Sequence, residues 1–165
     1  MGIIVNAPRP AQRFAGALVS VLIALAAGLI GNLLGMDAVT TWYVGLDKPA
    51  WNPPNWIFGP VWTLLYVLMG VAAYLVWEKT KDSARRAALV VYGVQLALNA
   101  AWSIIFFTLK QPGIAFGEII LMWLAILATI ILFWRIKPLA GILLLPYIAW
   151  VTFATALNFA IWQLN

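Results

Sequence analysis

The chain has 165 residues, of which 65% are hydrophobic and only 9% charged, with a formal net charge of +5 and a mean hydropathy of +0.97. A soluble domain carries roughly half apolar and about a quarter charged residues, so a water-soluble globule and a disordered chain are both excluded. The absence of Cys and His removes disulfides, thiolate nucleophiles, thiolate metal sites and the commonest general base, and leaves 10 Trp, 5 Tyr and 8 Phe as the main chemical asset.

Crossing the ~30 Å hydrocarbon core takes about 20 apolar residues in a helix. Five segments meet that length, and their continuous apolar runs argue against the alternating strands of a membrane β-barrel. The expected fold is an all-α integral membrane protein, a bundle of five transmembrane helices in one domain over residues 1–165. The first segment is Phe14 to Met36. Ala24-Leu25-Ala26 resembles a signal-peptidase site, but the apolar run continues to Met36, too long for a signal peptide. A lid loop follows from Asp37 to Trp56, with sequence DAVTTWYVGLDKPAWNPPNW. Loops this long are usually functional or disordered. Trp42, Tyr43, Trp51 and Trp56 need burial, and Pro49, Pro53 and Pro54 stiffen the backbone, so a folded lid is expected. The second segment is Ile57 to Trp77, with Pro60 near its start, where a missing N–H costs little. The third is Ala87 to Leu109 and the fourth Ile114 to Trp134. The fifth is Leu139 to Trp162, where Pro146 frees the Ile142 carbonyl and predicts a kink. Glu118 is the only charged residue inside these spans.

Basic residues set orientation. Arg9, Arg13, Lys79, Lys81, Arg85, Arg86, Arg135 and Lys137 fall on the amino-terminal side, and only Lys48 and Lys110 on the other. The expectation is an inner or plasma membrane with the amino terminus inside. Scattered in short loops, these residues read as topology signals and not as a nucleic-acid surface.

Polar side chains in lipid are costly unless they face protein or a cavity. Tyr92, Gln95, Asn99 and Trp102 share one face of the third helix. Tyr147, Trp150, Ala154 and Asn158 share one of the fifth, and Trp62, Tyr66, Ala73 and Trp77 one of the second. Asn32 and Glu118 come from the first and fourth. Most of these groups lie toward the lid. Two readings stand for Gln95 and Asn99: interhelical hydrogen bonding, which contributes roughly 0.6 kcal/mol per bond, or the wall of an aromatic pocket for a flat ligand. Gly93, Ala97 and Ala101 repeat every four residues on the third helix, and Ala24, Gly28, Gly31 and Gly35 line the first. Such faces allow close helix approach, either inside the bundle or, for the third helix, in a homodimer.

Trp42-Tyr43, Leu46, Lys48-Pro49, Trp51, Pro53-Pro54, Gly59-Pro60, Trp62 and Leu65-Tyr66, with QLALNAAWSIIFF at 95–107 and PYIAWVTFATALNFAIW at 146–162, resemble the translocator protein family, the tryptophan-rich sensory proteins once called peripheral-type benzodiazepine receptors. The likeness runs from about Phe14 to the end of the chain. It implies a five-helix bundle, often dimeric, with a cavity under the first loop for porphyrins of the protoporphyrin IX type and aromatic drug-like amides. By position it implies a pocket of Trp51, Phe58, Gly59, Val61, Trp62, Ile114, Leu121, Ala154 and Leu157, to which the polar stripes add Asn32, Asn99, Trp102 and Trp150. It also implies that Trp62 and Trp150 match two tryptophans linked in relatives to light-dependent porphyrin breakdown. Phe159 and Gln163 stand where animal members carry the Tyr and basic residue of a sterol pattern, which such motifs only weakly specify. Ile114 stands where animal members are aromatic.

Several function classes follow. The first is a binding or transport protein for tetrapyrroles and similar flat hydrophobic molecules, with a receptor or sensory role. No resident cofactor or metal is expected, because haem iron would lack its usual axial ligands. Lys48 or an Asn is expected to meet the ligand's carboxylates. The second is a photochemical porphyrin-degrading enzyme that uses Trp62 and Trp150. Alternating access within one subunit is disfavoured, since five helices do not divide into equal repeats. With one intramembrane acid, a hydrolase is least expected.

Overall fold

The structure is a computed structural model that describes residues 10–79 and 82–165, without the side chain of Asn32. Arg9, Lys81 and the Asn32 side chain, used above, therefore lie outside the described residues. Helix α1 spans Pro10–Thr40, α2 Phe58–Lys79, α3 Ser83–Ser103, α4 Pro112–Ile136, α5 Pro138–Ile142 and α6 Leu145–Leu164. Among the described residues, five stretches are long and apolar enough to cross a membrane, with α5 and α6 forming the fifth. Large side chains such as Leu22, Ile30, Leu124 and Ile131 point outward, as a lipid-facing surface requires.

Helix ends follow local chemistry. The α1 helix outruns the expected Met36 because the hydroxyls of Thr40 and Thr41 donate to the Asp37 carbonyl, so the lid begins near Thr41. Asp82 caps α3: its Oδ1 accepts from the Arg85 N–H at 3.1 Å, which starts the helix before Ala87. Pro112 and Pro138 begin α4 and α5, where proline is tolerated. The predicted kink is a two-residue turn at Leu143–Leu144 between α5 and α6, where both residues keep αR backbone. The largest departure is at the end of α3, where Ile104–Thr108 winds as a π-helix and Lys110 takes a positive φ of 56°.

The α1 helix packs on α2 and α3, and α4 packs on α3, α5 and α6. Gly70 of α2 lets the backbone of Val21 approach so closely that a Cβ there would overlap the Val21 Cα, and Ser20 Oγ donates to the Gly70 carbonyl at 2.7 Å. The glycines of α1 receive Tyr74, Tyr66, Ser103 and Phe107 in turn, so that stripe serves internal packing. An ion pair, Arg13 Nε to Glu78 Oε1 at 2.9 Å, clips α1 to α2 at the end away from the lid. The core is apolar: Met69, Ile119, Met122, Ile126, Phe133 and Val151 are sealed.

Candidate functional site

Between the lid and mid-bundle lies a cavity of about 240 Å³. Its floor rests on a buried polar network. The Tyr66 hydroxyl donates to Asn99 Oδ1. Asn99 Nδ2 donates to the Tyr147 oxygen at 3.1 Å, and the Tyr147 hydroxyl donates to Gln95 Oε1 at 2.9 Å. Gln95, Asn99 and Tyr147 are each at most 2% exposed, and buried polar groups need such partners. The network joins α2, α3 and α6 beneath the cavity. Of the two readings for Gln95 and Asn99, the structure places both in interhelical bonding, and Asn99 does not line the cavity.

The walls are aromatic. Trp62 stacks on Tyr66 with centroids 5.7 Å apart, and Phe58 meets Trp150 edge-on at 5.8 Å. Trp102 stacks on Phe106 at 5.2 Å and donates its Nε1–H to Asn158 Oδ1 at 3.0 Å, while Asn158 Nδ2 donates to the Pro112 carbonyl at 2.8 Å. Phe58, Gly59, Trp62, Trp102, Trp150, Ala154 and Leu157 of the expected set all line the cavity.

The other expected residues sit elsewhere. Trp51 is 50% exposed and leans on Phe153. Val61 packs against the core. Ile114 and Leu121 are 62% and 57% exposed, because the register of α4 turns Ala115, Ile119 and Met122 inward and these two away. Lining residues outside the expected set include Gly28, Val39, Tyr43, Phe106 and Phe107. The π-helical turn delivers the two phenylalanines, and α-helical spacing gave no signal for it. Gly28 was visible only as part of a small-residue stripe: a Cβ there would overlap the Tyr66 ring.

The lid is folded. Lys48 Nζ donates to the carbonyls of Tyr43 and Leu46, each at 2.7 Å, and to Val44 at 3.4 Å, and lies 4.9 Å over the Tyr43 ring. Lys48 is thus the hub of the lid and is not aimed at the cavity, contrary to the expected carboxylate contact. The Tyr43 hydroxyl donates to Asn52 Oδ1 at 3.1 Å, and burial pushes this phenol up to about 12, so it stays a donor at neutral pH. Trp42 and Tyr43 pack on Phe106, and Tyr43 also on Phe107.

Comparison with known proteins shows the family. A model of the TspO/MBR family matches residues 20–163. The chain is similar to the Tryptophan-rich protein TspO of Archaeoglobus fulgidus, at 45% identity over 148 residues, covering 88% of this chain and 94% of that protein. It is similar to the Translocator protein of Homo sapiens, at 45% over 126 residues and 75% of each chain. It is also similar to the Tryptophan-rich sensory protein of Cereibacter sphaeroides, at 43% over 135 residues and 82% of each.

Proposed function

Because the chain belongs to the TspO/MBR family and is an integral, multi-pass membrane protein, we propose that it binds porphyrins and similar flat, largely apolar molecules beneath its first loop, in a transport or sensory role. The observation that carries this reading is the cavity itself: three indoles, Trp62, Trp102 and Trp150, with Phe58 and Phe106, converge under one folded lid. Aromatic faces stack on flat conjugated ligands, and no charged side chain among the described lining residues opposes an apolar body. Two relatives carry names that speak of sensing and translocation. We place the protein in an inner or plasma membrane with its amino terminus inside, on the charge bias, and we propose a homodimer through α3, whose Gly93 faces open space beside exposed Val90 and Val94.

The test is titration of protoporphyrin IX against tryptophan fluorescence in mild detergent. Saturable quenching at micromolar ligand, weakened at least tenfold by Trp102→Ala, is expected. Linear, non-saturable quenching overturns the reading.

A second reading is favoured by one specific observation, that Trp62 and Trp150 line the same cavity. In it, bound porphyrin is photo-oxidised with dioxygen as the net electron acceptor, and the two indoles act as radical carriers, each giving up an electron and regaining one from the porphyrin in a turnover. Light-dependent bleaching that slows in Trp62→Phe and Trp150→Phe supports it, and equal bleaching in wild type and both variants rejects it.

A further inference from the structure

The lid is stiff within itself but loosely tied to the bundle. Its internal bonds, the Lys48 hub and the Tyr43–Asn52 pair, all begin and end inside the loop. Its ring contacts with the bundle, through Trp42 and Tyr43 at one end and Trp51 on Phe153 at the other, are apolar and not directional. Among the described residues, apart from the bonds that continue it into its flanking helices at Thr41–Asp37 and Phe58–Asn55, the hydrogen bonds that tie the lid to a distant element both end on one side chain, Asn165. The Asp47 N–H donates to Asn165 Oδ1 at 3.0 Å, and Asn165 Nδ2 donates to the Asp47 carbonyl at 3.0 Å. Asn165 Nδ2 also donates to the Ile161 carbonyl at 2.8 Å, which fixes the amide to the last turn of α6, and Ile161 lines the cavity.

We infer that the Asn165–Asp47 pair is a latch that holds the lid shut over the cavity and sets how fast a ligand comes and goes. The inference rests on the binding reading above and adds its regulation. Three features support it. The cavity under the lid, about 240 Å³, is smaller than the ~300–1,000 Å³ usual for small-molecule sites, so a macrocycle needs the lid displaced. The pair is exposed to solvent, where water can replace each bond as it opens. It grips Asp47, next to Lys48, so that one attachment acts on the whole rigid unit.

The test uses the full chain in mild detergent, with protoporphyrin IX as the probe and stopped-flow recovery of tryptophan fluorescence as the readout. Asn165→Ala is expected to speed release about tenfold, the effect of losing one or two net hydrogen bonds, and to speed association as well. Asn165→Asp, which keeps the acceptor and loses the donor, is expected to fall between. Because the native chain has no Cys, the double variant Asp47→Cys/Asn165→Cys allows one intramolecular bridge. Oxidation is expected to slow both rates at least tenfold, and reductant to restore them. Saturable binding whose rates are unmoved by Asn165→Ala and by the oxidised bridge overturns the latch and leaves the binding reading intact. Absence of saturable binding in the wild type overturns both.

Discussion

At the scale of single residues, Tyr147 carries the floor of the cavity. Its oxygen accepts from Asn99 and its hydrogen goes to Gln95, so Tyr147→Phe strands a buried donor and a buried acceptor together. Each unsatisfied group costs about 1–3 kcal/mol. The expected outcome is a melting temperature in detergent lowered by several degrees, with an unchanged helical circular dichroism spectrum at low temperature. An unshifted melting curve would mean that packing alone holds α3 to α6. The stripes of polar residues on the second, third and fifth helices were legible because their spacing of three and four puts them on one face. Their division of labour was not. Gln95 and Asn99 share a face with Trp102, and all three make interhelical bonds, yet only Trp102 reaches the cavity wall. What separates them is which partner stands opposite, and spacing within one helix carries no information about that. Lys48 misled for the same reason. A lone lysine in an aromatic loop reads as a ligand contact, and only the fold of the loop reveals three carbonyls turned toward its ammonium.

At the scale of elements, the helices were readable and their irregularities only partly so. Continuous apolar runs of about 20 residues mark membrane spans directly, and Pro146 announced the disruption between α5 and α6. The π-helical turn Ile104–Thr108 had no such marker: IIFFT looks like ordinary helix, and a single i→i+5 turn rotates everything after it. The turn itself carries Phe106 and Phe107, which meet Trp42 and Tyr43 of the lid. Small residues were equally ambiguous in sequence, and here the structure divides them. Gly70 meets Val21 backbone, whereas Gly93 meets nothing. Gly70→Ala therefore wedges α1 from α2, an overpacking cost of about 1–3 kcal/mol, and is expected to lower the melting temperature. Gly93→Ala adds a better helix former in open space, a gain of roughly 0.5–1 kcal/mol, and is expected to hold or raise it. Gly93→Leu is expected to leave folding intact and reduce the oligomer size in mild detergent. An unchanged size on gel filtration would remove α3 as the dimer face.

At the scale of the whole molecule, the lid and most of the basic residues lie at opposite ends of the bundle. The Arg13–Glu78 pair and the bond from Arg85 Nη1 to the Trp77 carbonyl at 3.1 Å join the start of α1, the end of α2 and the start of α3 at one end. Lys48 and the turn at Lys110 occupy the other, where Asn165 meets the lid. Five spans leave the two termini on opposite faces of the membrane. In the orientation proposed from the charge bias, with Lys and Arg retained on the cytoplasmic side, the lid and the mouth of the cavity are expected to face outward, so a ligand would arrive from outside the cell or from the outer leaflet. The native chain has no Cys, so single cysteines report this cleanly. Ala50→Cys lies exposed in the lid and Ser83→Cys exposed at the start of α3. On intact cells, or on spheroplasts where an outer envelope intervenes, a membrane-impermeant maleimide is expected to label the first and spare the second until the membrane is permeabilised. The opposite pattern would point the cavity toward the cytoplasm and make the site a receiver of molecules produced inside the cell.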